Sequence, residues 1–558
     1  MNRTANQFEG LLDRYFETLL QDNPTFSTIC AGLRDGEGKL GRLTLDFHKK
    51  RERERQSALR GLEGLSPREL SAEQQLDRLA LRSLLLRECE DYARGRHGLE
   101  PNAPDQLLNI LLHELQRGDD EPGRAARNLR SLLRQTPDFL DGAAAVVSKP
   151  ELVWLRVMEQ TVDGGMALLE GVQKFLVTAE AGRRSTASLE SSQESGTRRN
   201  ASLLASDKAL IDAAGKAMQR YRAQVKARRP APAGSFAIGA AALQRRVRDE
   251  LGLDYTLGQV EALALGEVER VGALLRAACG RLGRSRSAEQ IMAEARATWR
   301  PAKPLLELYQ RETQRIAAGF RQARAVSFPV GDVLQVKAVP EFLRSVIPTA
   351  AYQPPPAFVK AQRGVFWVND LSLTKQTAAD KLAEQQQHFG LPLTCAHEAY
   401  PGHHLQFVTA NHHPRKWRRL FAHAVFYEGW TLWCEQMLLD LRLDRSPWLP
   451  VQQLHDALWR CHRILVDLRL QTGRYNHEQA VRHLQKHVGF TRARATADVN
   501  WYTAQPAVPM CYWLGRLENE RLRQRLVVGR GWSLRKFNDW LLNFGTIPQA
   551  WIEKYGLD

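Results

Sequence analysis

Residues 397–404 read His-Glu-Ala-Tyr-Pro-Gly-His-His, and this is the most informative motif in the chain. In many zinc hydrolases two histidines are four residues apart, because that spacing places both on one face of a helix. Here Pro401 occupies the position of the second histidine. On a regular helix His403 would lie about 600° around from His397, and His404 would lie about 10.5 Å further along the axis. A regular helix therefore brings neither histidine beside the first.

Pro401 and Gly402 favour an irregular backbone in this stretch, which would let a second histidine lie beside His397. Pro401 lacks a backbone donor and clashes with the carbonyl of His397 four residues back, and Gly402 relaxes the backbone next to it. We therefore predict a widened turn of the π-bulge type that brings His403 back towards His397. His403 is then the second metal ligand. His404 is the alternative ligand, and otherwise a residue that supports a ligand by hydrogen bonding.

A third ligand is expected on the next helix. Residues 424–435 form an apolar, helix-compatible run that is interrupted by Glu428 and Glu435. A carboxylate in apolar surroundings is costly unless it is paired or bound to a metal. We predict that Glu428 is the third zinc ligand and that Glu435 orients a ligand histidine, while Gly429 lets another backbone approach closely. The alternative is that each acid pairs with a nearby arginine or lysine.

The predicted site also needs groups that carry out chemistry. With two histidines and Glu428 as ligands, one position stays open for water. Glu398 is the predicted general base that takes a proton from this water as it attacks a carbonyl. Tyr502 and Tyr512 are candidate donors to the developing oxyanion, because nearby prolines indicate an irregular loop that faces a cleft. The alternative for each tyrosine is a packed ring whose hydroxyl is satisfied elsewhere.

Two further residues are candidates for binding the substrate. Arg516, like Arg460 and Arg463, carries a guanidinium that matches a carboxylate in a bidentate pair, although a structural salt bridge is an alternative for each. Asn369 lies in the predicted strand 364–370, which could pair with an extended peptide. The alternative for this strand is a buried structural role.

The spacing of apolar residues and the local composition predict the structure of the rest of the chain. Helical spacing of apolar residues dominates the N-terminal part, beginning with residues 8–20. Residues 181–201 are rich in Ser, Thr, Gly and Arg and are predicted to form a flexible loop. Later, proline-rich and β-branched stretches indicate a small β element before helices resume. We divide the chain into an N-terminal helical lobe, 1–335, and a zinc-site lobe, 336–558, and expect one continuous structural unit.

Composition limits the function classes. The 558 residues include 79 Lys+Arg against 62 Asp+Glu, a net charge of +17. The basic residues occur in short groups, which is typical of solvated surface, so we do not expect nucleic acid as a partner. A non-catalytic basic protein that binds an anionic partner is kept as an alternative. Seven widely spaced cysteines, no secretory signal and no long apolar run predict a cytoplasmic protein outside the membrane.

HEAYPGHHLQ at 397–406 followed by Glu-Gly-Trp at 428–430 resembles the domain-of-unknown-function 885 family, a group of gluzincin-like proteins. The likeness runs over nearly the whole chain and includes RCHRILVD at 460–467. The resemblance implies a mainly α, large multi-helix metallopeptidase-like fold with a small β element preceding the zinc-site helix. It also implies two histidines and one glutamate as zinc ligands. The chain departs from the pattern, where an arginine, a glutamine and a histidine are expected, at Trp501, Val508 and Gln471.

These observations predict a zinc-dependent hydrolase of gluzincin type that cleaves a peptide or amide bond. Its cofactor is Zn²⁺, and its partner is a peptide or small amide substrate. The departures motivate a second hypothesis, a metal-dependent biosynthetic or tailoring enzyme that acts on a small molecule. The sequence leaves open whether His403 or His404 binds the metal, and it does not indicate an oligomeric state.

Overall fold

The computed structural model describes residues 3–187, 193–283, 286–339, 344 and 349–557. Within these residues the chain is mainly helical with one small sheet, which confirms the predicted fold class at this level. Among them, no helix is both long and apolar enough to cross a membrane. The helices are α1 (Arg3–Asp22), α2 (Pro24–Phe26), α3 (Leu45–Glu63), α4 (Ala72–Ala93), α5 (Arg96–Leu99), α6 (Ala103–Arg117), α7 (Pro122–Val146), α8 (Leu152–Ala187), α9 (Gln193–Lys226), α10 (Ala240–Arg245), α11 (Leu257–Leu282), α12 (Ala288–Thr298), α13 (Leu305–Gln322), α14 (Ala378–Gln385), α15 (Leu391–Glu398), α16 (His403–Asn411), α17 (Ala424–Asp440), α18 (Leu449–Gln471), α19 (His477–Val488), α20 (Arg492–Ala504), α21 (Val508–Arg523), α22 (Leu534–Leu542) and α23 (Gln549–Gly556).

Local sequence explains where several of these helices begin. Thr256, Ser287 and Asn476 cap α11, α12 and α19, and each is followed three residues later by a glutamine. The cap side chain accepts a hydrogen bond from the backbone N–H of the glutamine, and the glutamine side chain accepts one from the backbone N–H of the cap. Two otherwise unpaired donors at each helix start are thereby satisfied.

The sheet has three strands, β1 (Asp332–Ala338), β2 (Ala350–Gln353) and β3 (Gln362–Val368), in the order β1-β3-β2. β1 pairs with β3 in parallel, and β2 pairs with β3 antiparallel. β3 confirms the predicted β element, although it begins and ends two residues before the predicted strand 364–370. Because both edges of β3 are occupied by neighbouring strands, β3 has no free edge for an extended peptide. Its role is structural, with Phe366 fully buried.

The chain packs as two compact units. The first comprises Met1–Phe8, Leu65–Arg87 and Phe236–Asp558, and the second comprises Glu9–Gly64 and Glu88–Ser235. All residues of the candidate site belong to the first unit, so the site can be described from that unit alone.

Each unit has its own hydrophobic core. In the first unit α17 packs against α21, and α18 packs against both α11 and α21, around buried side chains that include Leu432 and Ile464. In the second unit α6, α7, α8 and α9 pack around Leu132 and Val172. The predicted lobe boundary at residue 335 lies inside the first unit, because α11, which precedes it, packs on α18, which follows it.

The predicted loop at 181–201 is helical where the structure describes it. α8 continues to Ala187 and α9 begins at Gln193, whereas residues 188–192 lie outside the described residues. The loop prediction is therefore wrong for 181–187 and 193–201. A polar composition does not by itself end a helix, since adding a serine, threonine or arginine to a formed helix costs less than about 1 kcal/mol per residue.

Several basic residues form ion pairs with acidic residues of the same unit. Lys50 lies 2.9 Å from Asp22 in the second unit. In the first unit, Arg415 and Arg418 both pair with the fully buried carboxylate of Asp77. Because Arg418 is itself fully buried, this arginine belongs to the interior and not to an anion-binding surface.

Candidate metal centre

Within the motif at residues 397–404, one helix ends and, after four residues, the next helix begins. α15 ends at Glu398 and α16 begins at His403, so the motif is a break between two helices, and the predicted π-bulge is wrong. A Cβ placed on Gly402 would lie 1.8 Å from the carbonyl oxygen of His397. Only glycine therefore lets the chain double back so tightly over the end of α15.

The Glu-Gly-Trp motif at residues 428–430 stabilises this break between α15 and α16. Trp430 on α17 is fully buried, and its indole N–H donates a hydrogen bond to the carbonyl oxygen of Pro401 at 2.8 Å. A buried carbonyl at a helix break needs such a donor, because its usual helical partner is missing. The Glu-Gly-Trp motif thus contributes both a ligand candidate and the contact that supports the other motif.

Gly429 brings a further helix to the site, as its sequence position predicts. A Cβ on Gly429 would lie 2.5 Å from the backbone of Gly515 on α21, and a Cβ on Gly515 would lie 1.9 Å from the carbonyl oxygen of Val425. The two glycines let α17 and α21 cross at closer range than any side chain permits. This crossing carries Tyr512, one turn before Gly515, towards Glu428.

His397, His403 and Glu428 come together from three helices. The Nε2 atom of His397 lies 3.7 Å from Oε2 of Glu428, and Nε2 of His403 lies 3.8 Å from the same oxygen. One ligand atom from each residue falls within 4.8 Å of the others, the only such trio of His, Cys, Asp or Glu found among the described residues. We call these three residues the His₂Glu cluster.

The donors of the His₂Glu cluster fit a zinc ion. Ligands about 2.0–2.1 Å from tetrahedral zinc lie roughly 3.3 Å from one another. The distances from Nε2 of His397 and His403 to Oε2 of Glu428, 3.7 and 3.8 Å, exceed this value by only a few tenths of an ångström. Oε2 of Glu428 is buried and has no hydrogen-bond partner in the structure. A buried carboxylate oxygen without a donor is costly, and a cation between it and the two imidazoles would satisfy it.

His404 points away from the cluster, although it is the neighbour of His403. Its Nδ1 lies 3.0 Å from the hydroxyl of Tyr352, and its Nε2 lies 3.2 Å from Oδ2 of Asp332, which also accepts a hydrogen bond from Tyr400. Both ring nitrogens are therefore used within the protein. Of the two histidines, only His403 therefore faces Glu428, while His404 links α16 to β1 and β2.

Glu435 occupies the predicted supporting position. Its Oε1 lies 2.8 Å from Nδ1 of His397. With the proton assigned to Nδ1, the imidazole donates to Glu435 and keeps a lone pair on Nε2, the atom that faces Glu428. This carboxylate contact orients the ring and makes it a better ligand.

The electrostatics of the cluster are set by burial and by its own charges. Burial lowers the pKa of His403 to about 3, so this ring is neutral and its lone pair is free to bind a metal. Burial opposes the charged form of His397, but Glu428 and Glu435 outweigh this effect and raise its pKa to about 10, so a metal ion would have to displace the Nε2 proton. Burial likewise opposes ionisation of Glu428, yet His397 and His403 keep its pKa below the usual value. Burial raises the pKa of Glu398 to about 7, and the charges of Glu428 and Glu435 add to the rise.

Only one of the two candidate tyrosines is brought to the cluster. The hydroxyl of Tyr512 contacts Glu428 and helps to lower the pKa of that carboxyl. Tyr502 is fully buried, and its hydroxyl donates instead to Oδ2 of Asp498 at 3.1 Å. Tyr502 is therefore a packed residue whose hydroxyl has its hydrogen-bond partner away from the His₂Glu cluster, which is the alternative given for it above.

The two predicted substrate-binding residues also have structural partners. Arg516 lies 3.5 Å from Glu520 and its guanidinium stacks over Trp433, with 5.0 Å between Cζ and the ring centroid. Asn369 is fully buried just after β3, and its amide donates to the carbonyl oxygen of Arg344 at 2.8 Å. These contacts do not bring either residue to the His₂Glu cluster.

Three residues around the His₂Glu cluster were not predicted from the sequence. The ring of Tyr352 stacks on His403 at 6.2 Å between centroids, and Tyr427 lies 5.9 Å from the same ring. Asp332, at the start of β1, holds His404 as described above. The position of Tyr427 directly before Glu428 was a usable signal, whereas Tyr352 and Asp332 lie far from both motifs along the chain.

One departure from the family pattern has a clear packing role. Gln471 is fully buried, donates to the carbonyl oxygen of Tyr502 at 2.9 Å and accepts from the backbone N–H of Ile238 at 3.3 Å. Trp501 is 36% exposed, and Val508 is the first residue of α21. Nothing in the structure explains Val508 further.

Fold and cluster together define a mainly helical protein with a buried group of two histidines and one glutamate. The family described as "Bacterial protein of unknown function (DUF885)" matches residues 24–555, and the chain belongs to this family. The comparison with curated proteins gave no match.

Two solved structures share the fold. A "putative lipoprotein of unknown function" from Shewanella oneidensis superposes with a TM-score of 0.74 at 17% identity, over 99% of this chain and 100% of that chain. A "putative lipoprotein" from Colwellia psychrerythraea gives a TM-score of 0.72 at 17% identity, over 99% and 98% of the two chains. The description as a lipoprotein applies to those two proteins. The cytoplasmic location of this chain stays a prediction.

Proposed function

We propose that this protein is a zinc-dependent hydrolase of the gluzincin type that cleaves a peptide or amide bond. The observation that carries the proposal is the His₂Glu cluster, in which Oε2 of Glu428 is buried without a donor and faces the Nε2 atoms of His397 and His403. The contact between Glu435 and His397 supports it, because metal-binding histidines commonly donate their other N–H to a carboxylate.

The residues around the cluster have separate roles in this proposal. A zinc ion held by His397, His403 and Glu428 would polarise the scissile carbonyl and acidify water. Glu398, directly after the first ligand, accepts the proton of the attacking water and later delivers it to the leaving amine. Tyr512, whose hydroxyl contacts Glu428, is the proposed donor to the oxyanion that develops on the carbonyl.

The proposal is tested by comparing the zinc-loaded wild type with Glu398→Gln on a mixture of short peptides, read by mass spectrometry. We expect cleavage by the wild type and a rate about 10²–10⁴ lower in the variant, which loses the general base but keeps the ligands. Equal zinc content of the two proteins is the control. A zinc-loaded wild type that cleaves no peptide or amide, or a variant as active as the wild type, would overturn the proposal.

Glu435→Gln is expected to lower the affinity for zinc by about 10–100-fold, because the amide no longer fixes and polarises His397. Affinity is measured by competition with a chromogenic chelator. Asp440→Asn, at the end of the same helix, is the matched control and is expected to leave the affinity unchanged. An unchanged affinity in Glu435→Gln would show that this contact does not support a metal ligand.

A further inference from the structure

Arg463 on α18 is a buried cation that makes no direct ion pair among the described residues. The carboxyl groups of Asp467, Asp498 and Glu428 act on it from further away. The residue is only 4% exposed, and its Nε atom has no hydrogen-bond partner. Within the described part of the chain, no carboxylate lies within ion-pair distance of its guanidinium. A buried charge of this kind is costly unless something else pairs with it.

Aromatic rings surround the guanidinium. Its Cζ atom lies within 4.0–5.3 Å of the centroids of four rings, those of Trp459, Trp501, Tyr502 and Tyr512. Cation–π attraction offsets part of the cost of burial, but it supplies no hydrogen-bond acceptor to the guanidinium. The acidic group next to these rings, Asp498, already accepts a hydrogen bond from Tyr502. The Nε–H donor of Arg463 is therefore buried without an acceptor among the described residues.

A second arginine lies one turn earlier on the same helix. The Nε atom of Arg460 is also buried without a partner, while its Nη1 reaches the carbonyl oxygen of Asp456 at 3.2 Å and the carboxylate of that residue at 3.8 Å. Its guanidinium lies 4.1 Å from the ring centroid of Trp459, and Arg494 of α20 lies 5.2 Å from the same centroid. Three guanidinium groups therefore gather around the ring of Trp459, with Asp456 and Asp498 as the acidic groups that act on Arg494.

Tyr512 lies between this group of arginines and the His₂Glu cluster. Its ring lies 4.0 Å from Cζ of Arg463, and its hydroxyl contacts Glu428. Arg463 and the cluster are therefore separated by little more than one phenol ring. A peptide spans about 3.3–3.6 Å per residue, so one or two residues bridge this separation.

We propose that Arg463, assisted by Arg460, binds a carboxylate of the substrate, and that the enzyme acts on substrates whose carboxylate lies one or two residues beyond the scissile bond. The planar guanidinium with its fixed donors suits bidentate binding of a carboxylate. This inference rests on the proposed function. The carboxylate comes either from the C-terminus of a peptide or from an acidic side chain, and the two sources are distinguished below.

The first arm of the test measures kcat/KM for matched short peptides with a free or an amidated C-terminus, each with Glu or Gln as the last residue. Wild-type enzyme is expected to prefer the free acid by about ten- to hundred-fold, and Arg463→Met to lose this preference. A preference that follows Glu over Gln and ignores amidation identifies a side-chain carboxylate as the ligand. Active enzyme that makes neither distinction overturns the inference and leaves the proposed hydrolase intact.

The second arm measures binding without turnover. Zinc-loaded Glu398→Gln is titrated calorimetrically with the same peptides, and the carboxylate forms are expected to bind about ten-fold or more tightly than the neutral forms. Adding Arg463→Met should abolish the difference, whereas Arg474→Gln, an exposed arginine after α18, should not. If Arg463→Met fails to fold, Arg460→Gln is used instead and is expected to weaken the preference. Equal binding of charged and neutral peptides overturns the inference even if no cleavage is ever found.

Discussion

His403→Ala is expected to reduce bound zinc from about one ion per chain to less than about one tenth, whereas His404→Gln is expected to keep about one. The reason is geometric, since Nε2 of His403 faces Glu428 and both nitrogens of His404 are occupied by Tyr352 and Asp332. Loss of one ligand of three leaves too few donors for a stable site. Zinc content is measured by mass spectrometry after exhaustive dialysis.

Folding is the control for this comparison, because His404 is fully buried and a variant that unfolds would also lose metal. Circular dichroism and thermal unfolding of both variants are recorded alongside the zinc content. His397→Ala and Glu428→Ala are expected to behave like His403→Ala. The reverse result, with zinc lost in a folded His404→Gln and kept in His403→Ala, would contradict the assignment of the ligands.

Gly515→Ala is expected to destabilise the first unit by about 3 kcal/mol, at the upper end of the usual cost of overpacking. The added Cβ would meet the carbonyl oxygen of Val425 at 1.9 Å, and this backbone atom belongs to a helix that cannot move without disturbing Glu428. At about 2–4 °C per kcal/mol for a large domain, the unfolding midpoint should fall by roughly 6–12 °C. Thermal unfolding followed by circular dichroism measures this change.

Gly266→Ala is the matched control, because Gly266 lies inside α11 and its Cβ would have no atom within 4 Å. This substitution is expected to stabilise the protein by about 0.5–1 kcal/mol through helix propensity. A Gly515→Ala variant as stable as the wild type would show that α17 and α21 do not cross as closely as the structure indicates.

Features that depend on local spacing were predicted well from the sequence. The helical class follows from apolar periodicity, which reflects the geometry of a single helix. Glu428 and Glu435 were singled out because acids are rare in so apolar a run, and the structure places both beside His397. Gly429 was expected to permit a close approach, and Gly515 is the backbone that approaches it.

Features that depend on distant partners were not decided by the sequence. Four residues separate the two helices of the motif, and the direction of the chain across this break depends on Trp430, which binds the carbonyl of Pro401. The orientation of His404 depends on Asp332, which lies on a strand 72 residues away. Tyr502 and Tyr512 have similar surroundings in sequence, yet only the crossing of α17 and α21 brings Tyr512 to Glu428.

Composition and helical periodicity thus predict the residue types of the candidate metal centre and the helices that carry them. The contacts of the folded chain bring His403 and Tyr512 to Glu428, whereas His404, Tyr502, Arg516 and Asn369 contact other partners. The physical reason is that helix periodicity and composition act over a few neighbouring residues. Side-chain direction at a helix break and close contact between helices are set by partners from remote parts of the chain.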